Sequence, residues 1–355
     1  MLFTYPEEAT AENWLHDCLV AMLTAVHDAV SSNRAIPAWP DVIPAQHRKV
    51  LGPRWGLRDK FIAYADSYAA LNTAEQQLLA EALIEQNRIA QLVAGLTTCR
   101  SLGDLAKEIL DPIEDLFGAA FTALTPLGIR DRQYALIYES MPSTECPFCG
   151  SELFDAPDRT REALDHYLAR ELYPFAGVNL RNLVPMGNKC NSRHKVAKDI
   201  LHGIGGRQRR SLDPYGDVTI TVHLTRSRPF EGEGGKLPAW VIDFVPDDEA
   251  TETWNTIFNI KDRYEHDLLN ARFDGWLRLF AGGCIAANTD VASDNALTIA
   301  LSQHIDTLRF EPMQDQNFLR AEVFSLFRQH IQADDPRVAP FLRSYVDDLR
   351  ASRQP

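Results

Sequence analysis

The chain reads as an α+β protein in three blocks, and three features predict this. Apolar residues recur at helical spacing from about residue 12 to 138. A central segment gathers a cysteine pair, histidines and a local excess of basic side chains. Strict two-residue alternation then appears at 217–224, before helical spacing returns. A length of 355 residues accommodates two or three cored domains. The expected organisation is a mostly helical domain over 1–140, a small ββα module with a cysteine knuckle over 141–210, and an α+β domain over 211–355.

The first block is helical because Trp14, Leu15, Cys18, Leu19, Met22, Leu23 and Val26 fall on one face of a 3.6-residue period. Thr73–Gln76 has the form of a capping box, with a looser version at Ser101–Asp104. Pro6, Pro37, Pro40, Pro44, Pro53 and Pro112 interrupt the pattern, which predicts five or six helices and an irregular stretch near 34–56. Residues 140–145 read as one connector. Gly203, Gly205 and Gly206, followed by Arg207, Arg209 and Arg210, read as a second. In the last block Val218, Ile220, Val222 and Leu224 alternate with Asp217, Thr219, Thr221 and His223, predicting a strand that pairs with Trp240–Val245. Glu231–Gly235 lacks the spacing of a phosphate-binding loop and is assigned a turn.

Composition narrows the function. Apolar residues make up 45% and charged residues 24%, an ordinary globular balance that excludes disordered and fibrous classes. No apolar run is long enough to span a bilayer, and the start lacks a basic region before an apolar core, so the expectation is a cytoplasmic protein without membrane partners. Six cysteines are too few for a disulfide scaffold, and Cys146-Pro-Phe-Cys149 points to a metal. The net charge of −13 argues against a polyanionic partner until its distribution is seen. Residues 159–210 carry 11 basic and 4 acidic side chains, whereas both flanks are acidic. An acidic body around a basic segment directs nucleic acid to one place.

That basic segment also carries the chemistry. Hydrolysis of a phosphodiester needs a base for water, a cation for the phosphate and leaving oxygen, and a frame that positions both. Asp165 and His166 are adjacent on a short predicted strand, so their side chains diverge and one of them faces a metal directly. Histidine is mostly neutral near pH 7 and suits the base. Asn191 opens a predicted helix through Ile200. Arg181, Arg193, Lys195 and Lys198 are candidate phosphate contacts.

The ordered pieces Cys146-x-x-Cys149, Leu164-Asp165-His166-Tyr167, Asn182-Leu183-Val184-Pro185 and Cys190-Asn191-Ser192-Arg193-His194-Lys195 resemble the HNH, or ββα-metal, endonuclease family over about a sixth of the chain. The resemblance implies a metal-dependent nuclease acting on DNA, with RNA also open. Asp165 and Asn191 would hold the catalytic Mg²⁺ or Mn²⁺, His166 would be the general base, and the Asn182 amide would tie the loop between two strands. It also implies a structural zinc at Cys146, Cys149 and Cys190. Zinc-bearing relatives carry a second cysteine pair whose first position falls here at Gly187, which leaves three cysteines one ligand short. His194, four residues after Cys190, is open between closing that site, serving the catalytic metal and touching a phosphate. Shorter phrases, Leu127–Tyr134 and Val178–Pro185 among them, are similar to HNH subunits of bacterial anti-phage systems such as Septu, some of which work beside an ATPase. This implies a defence or restriction setting with a partner protein. The competing class is an inactive zinc-knuckle module for nucleic-acid binding or assembly, which needs no hydrolytic base.

The remaining candidates are assigned to packing or surface. These are His16, His27, His47, His223, His266, His304 and His330, which lack partners at ligand spacing, and Cys18, Cys99 and Cys284, which read as buried apolar residues.

Overall fold

A computed structural model of the chain describes residues 1–157, 159 and 164–352, so the opening of the basic segment at 160–163 lies outside the described residues. The chain is mainly helical with two small antiparallel sheets, and it divides into two compact units, chiefly residues 3–218 and residues 219–355. The expected boundary at 140/141 is not a boundary between these units. One apolar core runs from Leu15 through Phe61, Leu116 and Tyr134 to Leu164, Phe175 and Leu183, because a short two-stranded pair buries too little area to hold itself and borrows the helices' apolar faces.

In the first unit the described α-helices are α1 (Trp14–Ser31), α2 (Arg48–Leu51), α3 (Trp55–Ala70), α4 (Thr73–Glu85), α5 (Ile89–Val93), α6 (Lys107–Leu124) and α7 (Ile129–Ser140), seven where five or six were expected; the stretch expected to be irregular is so between α1 and α2, but α2 and the start of α3 fall inside it. The capping box lies one residue earlier than expected. Asn72 Oδ1 accepts from the amides of Ala74 and Glu75, and Glu75 Oε2 accepts from Asn72 N, so asparagine takes the cap that Thr73 was expected to hold. Ser101 caps no helix. Its hydroxyl accepts from Gly103 N at 3.3 Å in a turn, and α6 starts only at Lys107. Pro112 does not break α6 either. The carbonyl it leaves without an amide partner, Glu108 O, accepts a hydrogen bond from the Ser67 hydroxyl of α3 at 3.3 Å.

Behind the helices, β1 (Leu164–His166) pairs antiparallel with β2 (Leu183–Pro185), in register Leu164↔Pro185, Asp165↔Val184 and His166↔Leu183. Long-range hydrogen bonds fix β2. Gln133 Nε2 on α7 donates to the carbonyls of Leu180 and Leu183, and Tyr215 Oη donates to Leu183 O at 2.6 Å. After β2 the expected helix through Ile200 is cut short. Lys189–Lys195 forms a π-helical turn that ends at Val196, with φ +49°. A β-branched residue rarely adopts that region, so the helix stops there rather than continuing.

The second unit pairs β3 (Thr221–His223) with β4 (Asp243–Val245) and is otherwise helical: α8 (Glu249–Phe258), α9 (Ile260–Arg263), α10 (Ala271–Ala286), α11 (Asp294–Phe310), α12 (Asn317–Gln332) and α13 (Val338–Ala351). The alternating face is real at Ile220, Val222 and Leu224, which are buried, whereas Val218 is 50% exposed ahead of the paired segment. Residues 233–235 form a turn, as assigned. Among the described residues no helix is long and apolar enough to cross a membrane.

Candidate functional site

Among the described residues from Cys146 to His202, several of the side chains singled out collect at two places beside the β1–β2 pair. The first is the cysteine knuckle. Cys146, Cys149 and Cys190 are buried with their sulfurs within 4.8 Å of one another, and His194 is not part of that group. Three converging thiols suit a soft, thiolate-binding ion, so the donor set fits the structural metal. The position where a second cysteine pair would begin is filled differently. A side chain at Gly187 would meet Glu152 Oε2 at 2.6 Å, and the Glu152 carboxylate accepts from Lys189 N at 2.9 Å and Cys190 N at 3.4 Å. Gly187 N itself lies 3.4 Å from Cys146 Sγ.

The second place is an open cleft lined by Asp165, His166, Arg170, Glu171, Asn191, Ser192, Lys195 and Val196. Asp165 and His166 therefore share it, although strand alternation predicted divergence. His166 is the last residue of β1, where the chain leaves the pleat, and it also lines an adjoining hollow with Phe117, Phe121 and Glu114 of α6. Its ring lies 4.7 Å from that of Phe121. His166 Nε2 is 2.9 Å from Gly177 O. A carbonyl only accepts, so Nε2 bears the hydrogen and the neutral ring keeps its lone pair on Nδ1. Burial lowers the His166 pKa, against the opposing pull of the Gly177 carbonyl and Asp165, which keeps the ring neutral near pH 7.

Asp165 Oδ2 is a buried acceptor without a hydrogen bond. The Lys195 ammonium approaches it to 2.9 Å as an ion pair whose angles fall short of hydrogen-bond geometry. With the Asn191 amide on the same cleft, the oxygen donors fit a hard divalent cation that keeps most of its water. Asn182 lies behind the site, fully buried. Its Oδ1 accepts from Leu168 N at 2.6 Å, while Nδ2 donates to Leu168 O at 3.1 Å and Ala176 O at 3.2 Å. One amide thus clamps both ends of the loop that carries Gly177.

The four expected phosphate contacts separate. Arg181 is committed to Glu7 at 2.7 Å and Asp213 at 2.6 Å, within the first unit's scaffold. Lys195 is only 1% exposed and sits on Asp165. Arg193 and Lys198 are exposed on and after the π-helical turn. A further basic side chain, Arg170, lines the cleft beside His166, held at 3.1 Å by Glu171, a neighbour pair the motif match did not cover. Also missed was a cluster in which Tyr173 Oη donates to Asp199 at 2.9 Å and His202 Nδ1 lies 3.0 Å from Asp199 Oδ2. Its one sequence signal is the Asp199/His202 spacing of three.

The other histidines pack or pair: His27 bonds Tyr64 Oη at 2.6 Å and stacks on Tyr68, His47 stacks on Trp14, and His304 packs on Phe280 and Phe324. Cys18, Cys99 and Cys284 are buried. No protein-family model, no curated protein and no solved structure matches this chain.

Proposed function

We propose that the protein is a metal-dependent endonuclease of the HNH type, hydrolysing phosphodiester bonds of DNA at the cleft around His166, with a structural zinc at Cys146, Cys149 and Cys190. One observation carries the reading. Residues distant in sequence, Asp165 and His166 on β1 and Asn191 and Lys195 on the turn after β2, line a single cleft. A solvated surface has no reason to bring a lone-pair histidine, a buried carboxylate oxygen and an amide together.

In this reading His166 Nδ1 takes the proton of an attacking water, because Gly177 O fixes the hydrogen on Nε2. Asn182 holds the loop that places Gly177, so it acts on His166 through the backbone. A divalent ion held by Asp165 and Asn191 would neutralise charge on the phosphate and the leaving oxygen. Arg170 on the cleft, with Arg193 and Lys198 exposed on and after the π-helical turn, would supply positive charge for the phosphate backbone. A bacterial defence or restriction role with a partner protein belongs to the same proposal and is supported by sequence phrases alone. The test is plasmid nicking with Mg²⁺ or Mn²⁺, comparing the native chain with His166→Ala and Asp165→Asn. Loss of cleavage in both variants, with folding kept, supports the reading. Nicking within tenfold of native in both would leave a binding or assembly module as the better description.

A further inference from the structure

Lys195 is one of the largest fully buried side chains of the molecule and carries a charge there. Burying an ammonium is costly unless a counter-charge meets it, and the counter-charge is the proposed metal ligand itself, Asp165 Oδ2 at 2.9 Å. No hydrogen bond reaches that oxygen, so the ion pair is its main electrostatic partner. Among the described residues Lys195 also meets Val196 O at 3.5 Å, on the residue whose positive φ ends the π-helical turn. The ammonium thus stands between the carboxylate and the rim of the turn, within reach of both.

We propose that Lys195 is a positioning residue that competes with a divalent cation for Asp165, holding the carboxylate with its own charge and yielding it when the ion binds. This rests on the endonuclease reading of the cleft. A cation coordinated at about 2 Å to the same oxygen would lie within about 5 Å of the ammonium, where like charges repel strongly in a partly buried site. Lys195 then moves off toward Val196 O and the cleft mouth, where its charge faces an incoming phosphate. The exchange gives the site a built-in threshold for metal, and it places a second cation at the phosphate only after the first has bound.

Binding of Mn²⁺ to the full-length protein, followed by calorimetry and by the loss of the free-ion paramagnetic resonance signal, tests this directly without nucleic acid. Lys195→Met keeps the length of the side chain and removes the charge, and is expected to bind Mn²⁺ about tenfold more tightly than native. Its melting temperature should also rise more on adding Mn²⁺, because the ion replaces the missing counter-charge of Asp165. Lys195→Gln, a second neutral variant, should behave alike, and Lys195→Arg, which keeps the charge, should stay near native affinity. Unchanged or weaker Mn²⁺ binding in both neutral variants, with binding still lost in Asp165→Asn, would overturn the competition while leaving the metal site standing. Absence of Mn²⁺ binding in every form, native included, would overturn both the competition and the metal-dependent reading beneath it.

Discussion

Replacing Asn182 by alanine isolates the part of the site that depends on the fold rather than on the reacting groups. The side chain is fully buried and makes three hydrogen bonds, accepting from Leu168 N and donating to Leu168 O and Ala176 O. Each is worth about 1 kcal/mol net, and the stranded backbone groups, which water does not reach, add to that. We expect Asn182→Ala to destabilise the first unit by about 3–5 kcal/mol. For a unit of this size that corresponds to a fall of roughly 10 °C in its melting temperature. Asn182→Asp should be no better, because its second oxygen would face two carbonyl oxygens where the amide donated. Denaturant unfolding of native and variant proteins, read by circular dichroism, measures the change. In conditions where Asn182→Ala stays folded, Mn²⁺ binding at Asp165 should survive while nicking falls, since the loop carrying Gly177 no longer fixes His166. A loss under 1 kcal/mol would mean the amide is not the clamp its geometry describes.

Further outcomes are expected. His166→Ala should abolish nicking with little loss of stability. The native rate should be level through pH 7 and fall on acidification only below the ordinary histidine value of about 6.5, because burial lowers this pKa and a protonated ring accepts nothing; a fall beginning above pH 7 would contradict the assignment. Purified protein should contain about one zinc per chain by elemental analysis, and Cys146→Ser should lose both the zinc and local folding worth on the order of 10 kcal/mol of metal binding; metal-free native protein would refute this. His194→Ala should keep its zinc, since His194 lies outside the thiol group; loss of zinc would make His194 the fourth ligand. Stability should fall as pH drops from about 6.5 toward 4. Burial holds His16 and His27 at about 4 in the folded chain, so the unfolded chain binds more protons across that window, to a ceiling of about 3 kcal/mol for each. His16→Leu should flatten the slope, and an unchanged slope would show that other groups dominate.

Local patterns in the sequence decided the α+β class, the helical character of both ends and the shortlist of candidate site residues. Leu15, Leu19 and Met22 repeat at helical spacing and are buried, Ile220, Val222 and Leu224 alternate with polar residues and are buried, and Cys146, Cys149 and Cys190 converge as the family resemblance implied. These features are legible because burial of one face imposes a period on a short stretch of chain. Element ends were less legible: Asn72 and Thr73 both suit a helix cap, and only the paired hydrogen bonds with Glu75 choose between them. Pro112 reads as a break until a hydroxyl from another helix, that of Ser67, meets the exposed carbonyl.

What tertiary structure alone decided is which partner each charged group takes. Arg181 and Lys195 look alike in the sequence, two cations in a basic segment. Packing gives one to Glu7 and Asp213, away from the cleft, and the other to Asp165 on the cleft, where Arg170 pairs with Glu171. The tautomer of His166 likewise follows from Gly177 O, eleven residues away along a loop whose path is set by Asn182. Partners of this kind carry no period and no fixed spacing. A charged side chain is satisfied by whatever the fold brings within about 3 Å, and that distance exists only once the chain has packed.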